Sequence, residues 1–359
     1  MKFTKRTQLK KKFCVFLACV MLLSFIPVYS IPVSAASADA ERSRIEEVRE
    51  ILDSIAYSEY LTVHEASPLG TGEIPVSLTN DAGISAAQHE GANAVLLPEE
   101  GTVTFSFNVP REGMYNLLLT YMQFEGKNSA IERLIRINGK VPFKEARYVI
   151  MTKIYQYNWD EYDENGNPAF IRDIRNNELR PGIIEAPEWR TVLAEDSSGF
   201  VEEPLMFYLQ AGENTISFEP VREQVYISEI KFTQPSTLLS YEQYLAANSG
   251  RGTAEIPRIQ AEMPAAISEI VIHPINDRTS AATEPQDASR IRLNSIGGTR
   301  WQLYGQWVKY EAVVPAGGAG LYKIVTRFKQ ALGISILRKM PKECLRKQDA
   351  RQLCLQGEQ

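Results

Sequence analysis

Cysteine is missing from the body of this chain. Of the 4 cysteines, Cys14 and Cys19 lie in an N-terminal apolar run, and Cys344 and Cys354 lie near the C-terminus. Nothing between them can be cross-linked, so the fold has to be held by core burial, which a body of about 320 residues allows. Histidine is as scarce. The 3 histidines, His64, His89 and His273, are scattered and form no metal-binding pair. There is no Gly-x-Ser-x-Gly, no Walker loop and no His-Glu-x-x-His. Gly317-Gly318-Ala319-Gly320 sits in a strand-to-strand turn, the wrong place for a phosphate cradle. A glycosidase carboxylate pair meets only in the fold and gains no support from spacing. These absences predict a protein that is not an enzyme.

Basic charge is also short where it would matter. The net charge is −5, but residues 39–330 hold 27 basic and 41 acidic residues, a balance of −14. Such a body repels nucleic acid and anionic lipid. The only long apolar run follows Lys2, Lys5, Arg6 and Lys10-Lys11-Lys12, spans about Phe13 to Ile26, and precedes Val33-Ser34-Ala35 and Ala36-Ser37-Ala38. Basic start, apolar middle and small residues are the parts of a secretory signal. Residues 1–38 are therefore expected to be cut after Ala35 or Ala38, leaving a secreted protein. An uncleaved anchor and lipidation at Cys19 are the alternatives.

What the chain has in plenty is itself. Tyr57-Ser58-Glu59-Tyr60-Leu61 recurs as Tyr241-Glu242-Gln243-Tyr244-Leu245. Glu73-Ile74-Pro75 recurs as Glu255-Ile256-Pro257. Val109-Pro110 with Gly113-Met114-Tyr115 recurs as Val314-Pro315 with Gly320-Leu321-Tyr322. A spacing near 200 residues means two copies of one domain rather than a solenoid of short units.

An amphipathic helix is expected over 39–62, from Ile45, Val48, Ile51, Leu52 and Ile55. From Glu73 onward the period becomes two. Val103, Phe105, Phe107 and Val109 share one face; Tyr115, Leu117, Leu119 and Tyr121 share a face of the next strand. Asn138-Gly139 marks a hairpin. Residues 213–218 and 225–232 read as closing strands. Short strands with polar turns predict a mainly β architecture, a tandem of antiparallel sandwiches. The first covers 63–235 with a long insertion at 146–205. A linking helix covers 236–254, and a partial second sandwich 255–330. There Val308, Tyr310, Ala312 and Val314 point inward, and 320–327 repeats the strand after the turn. Residues 331–359 form a basic tail without period-two pattern, so the second copy lacks the later strands of the first.

The insertion is rich in aromatic and hydrogen-bonding residues. Sugars stack on Trp and Tyr rings while Asn, Asp, Glu and Arg take their hydroxyls. This makes Tyr157, Trp159, Asp173, Arg175, Asn177, Arg180, Glu188 and Trp189 candidate carbohydrate-binding residues; packing of those rings onto the sandwich is the competing role. Trp301 and Trp307 are expected to cap the second core. Glu161, Asp163 and Asn165 before Gly166 imitate an EF-hand start, but the twelfth position is Arg172, so the loop is not one.

Gly305-Gln306-Trp307-Val308-Lys309-Tyr310, Val314-Pro315 and Gly320-Leu321-Tyr322 resemble the central strands of jelly-roll, galactose-binding-like carbohydrate-binding modules of families six and thirty-five. Ala261-Glu262, Gly212-Glu213-Asn214-Thr215-Ile216 and residues 227–232 add to the resemblance. It implies a structural Ca2+ near an early Glu, here Glu262, and a late acid, here Glu229. The whole order, through Glu185-Ala186-Pro187-Glu188-Trp189, resembles the front end of large extracellular solute-binding proteins of sugar ABC transporters in Gram-positive bacteria. That resemblance implies a truncated fragment of such a protein, an oligo- or polysaccharide ligand, ABC permease partners for the full-length protein and an extracellular location. An ancillary module of a glycoside hydrolase or polysaccharide lyase is the alternative, and a cell-wall or adhesion module without a sugar site is another.

Overall fold

The strand Val103–Val109 alternates in space as it does in sequence: Val103, Phe105, Phe107 and Val109 are buried and the residues between them are not. In a computed structural model, residues 45, 49–50, 53–79, 86–235, 240–248, 250–280, 283–328 and the backbone strand 352–356 are described. The expected signal at 1–38, most of residues 39–52 of the helix expected over 39–62, and residues 329–351 and 357–359 of the tail lie outside the described residues. The chain divides into two units, Met1–Asp53 and Ser54–Gln359. In the first, the described residues are helical. The elements of the second follow. Among the described residues no helix is long and apolar enough to cross a membrane.

In chain order the elements are α1 (Tyr57–Val63), β1 (Glu73–Val76), β2 (Ala87–His89), β3 (Ala92–Leu97), β4 (Val103–Val109), β5 (Gly113–Gln123), β6 (Ile131–Ile137), β7 (Val149–Met151), β8 (Tyr155–Asn158), β9 (Glu161–Tyr162) and β10 (Pro168–Ala169). They continue with β11 (Gly182–Glu185), β12 (Arg190–Leu193), β13 (Met206–Leu209), β14 (Gly212–Arg222), β15 (Val225–Thr233), α2 (Tyr241–Ala247), β16 (Ala266–Ile267), β17 (Trp307–Glu311) and β18 (Gln352–Gln356). Every ladder is antiparallel, and the protein is mainly β.

The first sandwich has two faces. A seven-stranded sheet runs β12-β5-β15-β3-β2, with β13 added to β5 and β1 to β15. The facing sheet runs β4-β14-β6-β7. Between them lie Phe105, Phe107, Leu117, Leu119, Phe218 and Phe232, all buried, with Phe107 and Phe232 stacked at 5.0 Å. Burying each such side chain stabilises by about 1.5–3 kcal/mol. The expected Asn138-Gly139 hairpin forms. Both residues take positive φ (51° and 77°), and Ile137 and Lys140 exchange backbone hydrogen bonds. The Asn138 side chain also accepts from the Thr215 N–H and donates to Asn214, tying the turn to β14.

The insertion does not remain a loop of the first sandwich. β8 and β11 join β16, β17 and β18 in a separate sheet of order β11-β8-β16-β17-β18. The reason is visible in β8, where Tyr155 and Tyr157 are buried and Gln156 and Asn158 exposed. That half-strand needs an apolar partner, and Ile267, Ile272, Val308 and Tyr310 supply it. The second copy thus borrows two strands from the middle of the first.

Three expectations for the second copy need correction. Residues 322–328 form no ladder among the described residues, and Ile324, Val325 and Phe328 are exposed. Their counterpart β5 is the centre of its sheet because β15 pairs along most of its length. The second copy has no equivalent of β15 among the described residues, so the segment has nothing to pair with. The tail, conversely, does contribute a strand: β18 pairs along β17, with Gln356 opposite Trp307 and Gln352 opposite Glu311. An unpaired edge recruits backbone whatever its side-chain period. Trp301 packs on the second core as expected, but Trp307 faces the opposite side of the sheet, against Ile154 and Ala266.

Candidate functional site

A cleft of about 490 Å³ opens between the β5–β12 side of the seven-stranded sheet and the β8-β16-β17 sheet. Tyr121 on β5 and Arg190 on β12 form one wall; Tyr155, Glu269 and Trp307 form the other, and Tyr304 stands at the rim. The register of β12 on β5, with Arg190 opposite Tyr121, sets the Arg190 side chain facing the second sheet. Its guanidinium lies over the Trp307 ring, 4.6 Å from the centroid, and donates to Thr152 Oγ1 at 2.6 Å. The Trp307 indole N–H donates to the same oxygen at 3.1 Å. Tyr121 Oη donates to the Thr152 carbonyl. One threonine thus fixes the aromatic and the cation together.

Glycine at 199 lets the opposite loop close over the rim. It takes a φ of +74°, and a Cβ there would overlap the Tyr304 ring. The loop itself is held by Asp196, whose carboxylate accepts from the N–H groups of Ser198, Phe200 and Val201 and from the Ser198 hydroxyl. Glu269 accepts from Gln306 Nε2 at 2.8 Å. Behind the floor, buried Lys153 lies 3.7 Å from both Glu185 and Glu223 and donates to the Lys127 carbonyl. Burial, with Glu185, Glu223 and Glu269 nearby, pushes the Tyr155 phenol up to about 12. The cleft therefore offers the half-exposed Tyr304 ring, little of the buried Tyr121, Tyr155 and Trp307, one guanidinium that no carboxylate pairs with among the described residues, and carboxylates already engaged.

The candidate residues chosen from sequence are distributed elsewhere. Tyr157 is buried and its hydroxyl donates to the Ile272 carbonyl; Trp159 packs edge-on against it at 5.7 Å. Both rings serve the second core. Asp173 accepts from the N–H groups of Arg175 and Asn177 in a tight turn, and these bonds hold its carboxyl below the usual range. Asn177 accepts from the Ile291 N–H, and its neighbour Glu178 from the buried Leu293 N–H, clamping the insertion to the second module. Arg180 is exposed, close enough to His273 to lower its pKa after the larger effect of burial. Glu188 lies 3.5 Å from Lys309, and the Trp189 indole donates to the Glu90 carbonyl. The structure does not gather the eight residues into one site. It places Arg190, one residue beyond Trp189, in the cleft, where a strand position opposite Tyr121 was the missed signal.

Glu262 and Glu229 lie in different modules. Glu262 is buried, which raises its pKa, whereas Glu229 pairs with Lys231 at 2.9 Å and accepts from Thr120. Among the described residues no group of three His, Cys, Asp or Glu side chains is placed to hold a metal ion. The acidic loop after Trp159 is a hairpin of β9 and β10 in which Asp163 accepts from the N–H groups of Asn165 and Asn167.

No family model matches the chain. A curated relative, the band 3 anion exchange protein of Oncorhynchus mykiss, is 30% identical over 108 residues, or 29% of this chain and 11% of the relative. The chain thus spans about a tenth of that relative's length. Among solved structures it is similar to a family 35 carbohydrate binding module from Clostridium thermocellum, at 13% identity over 45% of this chain and 88% of that one, with a TM-score of 0.23. A family 35 module from an environmental isolate matches at 14% identity over 48% and 96%, TM-score 0.22. A GH26-CBM35 beta-(1,4)-mannanase of Podospora anserina matches at 12% identity over 47% and 29%, TM-score 0.24. None of these likenesses is deep enough to assign a family.

Proposed function

We propose that this chain is a non-catalytic carbohydrate-binding protein, and that the cleft beside Arg190 and Trp307 takes the sugar. The observation that carries this reading is the lining: a guanidinium that no carboxylate pairs with among the described residues and the half-exposed Tyr304 ring, around a space of about 490 Å³. Small-molecule sites are concave, mostly apolar and furnished with a few fixed polar groups. The Tyr304 ring suits the C–H face of a pyranose, and the N–H groups of Arg190 that Thr152 does not take suit its hydroxyls. Two of the three carboxylates that line the cleft speak against hydrolysis. Asp196 is consumed by four donors, and Glu269 is held by Gln306, so neither is placed as a free acid or base.

In the finer reading the protein is secreted and serves at the extracellular face of a Gram-positive cell, as part of a solute-binding component that delivers sugar to an ABC permease. That reading rests on the order of the sequence motifs. The experiment is a thermal-shift screen of the intact protein against mono- and oligosaccharides. A ligand that binds only the native state raises the melting temperature. Arg190→Ala should then weaken binding of the responding sugar by ten-fold or more, the loss expected for a charged hydrogen bond. A panel without any shift, or a shift that Arg190→Ala leaves intact, removes the cleft as the sugar site.

A further inference from the structure

The dipeptide Asn-Gly occurs twice, at Asn138-Gly139 and at Asn165-Gly166. Each pair sits at the tip of a hairpin, the first after β6 and the second between β9 and β10. Both asparagines and both glycines are exposed, and the glycines hold nearly the same positive φ, 77° and 79°. A Cβ at either glycine would meet no neighbour. Access of water and room about the glycine nitrogen are therefore alike at the two tips.

What differs is the side-chain amide. Asn138 Oδ1 accepts the Thr215 N–H at 2.8 Å, and its Nδ2 donates to Asn214 Oδ1 at 2.9 Å. Asn214 is buried and is held in turn by donating to the carbonyls of Gln210 and Gly212. Both ends of the Asn138 amide are thus tied to β14, a strand paired on both edges, with β4 and with β6. The Asn165 side chain makes no hydrogen bond among the described residues. Its turn is closed by the Gly166 N–H, which donates to the Asp163 carbonyl at 3.0 Å, and by the Asn165 N–H, which donates to Asp163 Oδ1. Behind it the β9–β10 ladder has only the pairs Tyr162–Pro168 and Glu161–Ala169. A ladder this short opens locally with little cost.

We propose that Asn165-Gly166 is a site of spontaneous covalent modification, and that the clamp on Asn138 protects the other pair. The Gly166 backbone nitrogen gives up its proton to base and attacks Asn165 Cγ. The N–Cγ bond forms, the Cγ–Nδ2 bond breaks, and the side-chain nitrogen leaves as ammonia after taking up a proton from solvent. Glycine carries no side chain to crowd this approach. Water then opens the cyclic imide at either carbonyl, which leaves aspartate or isoaspartate at 165. Nothing is oxidised or reduced. The same attack at 138 requires the amide to leave Thr215 and Asn214 first. Isoaspartate adds a methylene to the main chain and sets a new carboxylate beside Asp163 and Glu164. The N–H and side-chain amide of Asn167, which now donate to Asp163, lose their register, and the β9–β10 hairpin loosens.

The test incubates the full chain at mildly alkaline pH, native and in urea, and follows both asparagines by peptide mass mapping. Enzymatic methyl labelling distinguishes isoaspartate from aspartate. In the native protein Asn165 should convert, and Asn138 should convert about ten-fold more slowly or less. In urea, where the clamp is gone, the two should convert at similar rates. Asn165→Gln should abolish the native conversion at 165, because the longer side chain closes a less favourable ring. An Asn165 that stays an amide in the native chain overturns the proposal, and so do equal native rates at the two asparagines. A difference between them that persists in urea overturns the protective role of the clamp.

Discussion

Tyr57 and Tyr241 begin the same five-residue motif, yet one is 2% exposed and the other 71%. The same holds down the two copies. Gly70 lies under a fully buried Tyr115, and Gly252 lies under a half-exposed Tyr322. The local bonds agree, Gly70 N–H donating to the Met114 carbonyl as Gly252 N–H does to that of Leu321, so the difference is not local. It comes from strands 140 residues and more away from the first helix, β13 to β15, which the first copy has and the second lacks among its described residues. A short motif fixes how a chain turns and caps; whether its apolar face is buried is decided by partners distant in sequence.

The largest test of that difference is at the two glycines. A Cβ at Gly70 would overlap the Tyr115 ring, which is walled in by the first core. Gly70→Val should therefore destabilise by about 3 kcal/mol, the upper range for overpacking. At Gly252 the same atom meets the Tyr322 ring, which can swing toward solvent. Gly252→Val should cost less than about 1 kcal/mol. Urea titration of the two variants measures both, and equal losses would mean the second copy is as tightly packed as the first.

A second contrast concerns the insertion, which belongs to one copy by sequence and to the other by packing. Glu178 is buried, accepts from the Leu293 N–H at 2.8 Å and pairs with Arg172 and Arg292. Glu178→Ala leaves that buried N–H without a partner, at a cost of about 2 kcal/mol. Limited proteolysis should then cut within residues 160–180 and 287–294 while the first sandwich stays resistant. Cleavage spreading into β4–β6 would show that the insertion supports the first core after all.

Much of this architecture could be read before any coordinates. β4 and the Asn138-Gly139 turn follow from period-two burial and one turn dipeptide, and β5 from alternation in its sequence although it is buried on both faces. The insertion did not yield in the same way. Tyr155-Gln156-Tyr157-Asn158 is only four residues of alternation, too short to separate a strand from a loop, and the buried residues its tyrosines pack on lie more than 100 residues on, at Ile267 and Tyr310. Of the candidate sugar platforms, Tyr157 lies in that core for the same reason and Trp159 packs half-buried against it. The cleft was invisible because its two key groups, Arg190 and Trp307, meet across different modules. The mixed role of residues 146–205 shows in Thr152, which binds both.

The smallest expected effect is also the most direct comparison of the helices. Tyr57→Phe or Tyr60→Phe removes one acceptor from a buried backbone N–H and should cost about 1 kcal/mol each, while Tyr241→Phe and Tyr244→Phe stay within about 0.5 kcal/mol. Alkaline pH reads the same difference. Burial pushes the Tyr57 and Tyr60 phenols up to about 12, with the N–H groups of Met206 and Tyr208 pulling the other way. A folded-state value above the unfolded one of about 10 means the contribution is whole below pH 10 and is lost as pH rises through 12. Urea midpoints should accordingly fall between pH 10 and 12, and less steeply in Tyr57→Phe/Tyr60→Phe. Some slope should persist, because burial also raises Tyr155, Tyr157 and Tyr310. If Tyr241→Phe/Tyr244→Phe costs as much stability as the first pair, α2 is covered in solution and the two copies are more alike than their exposures indicate.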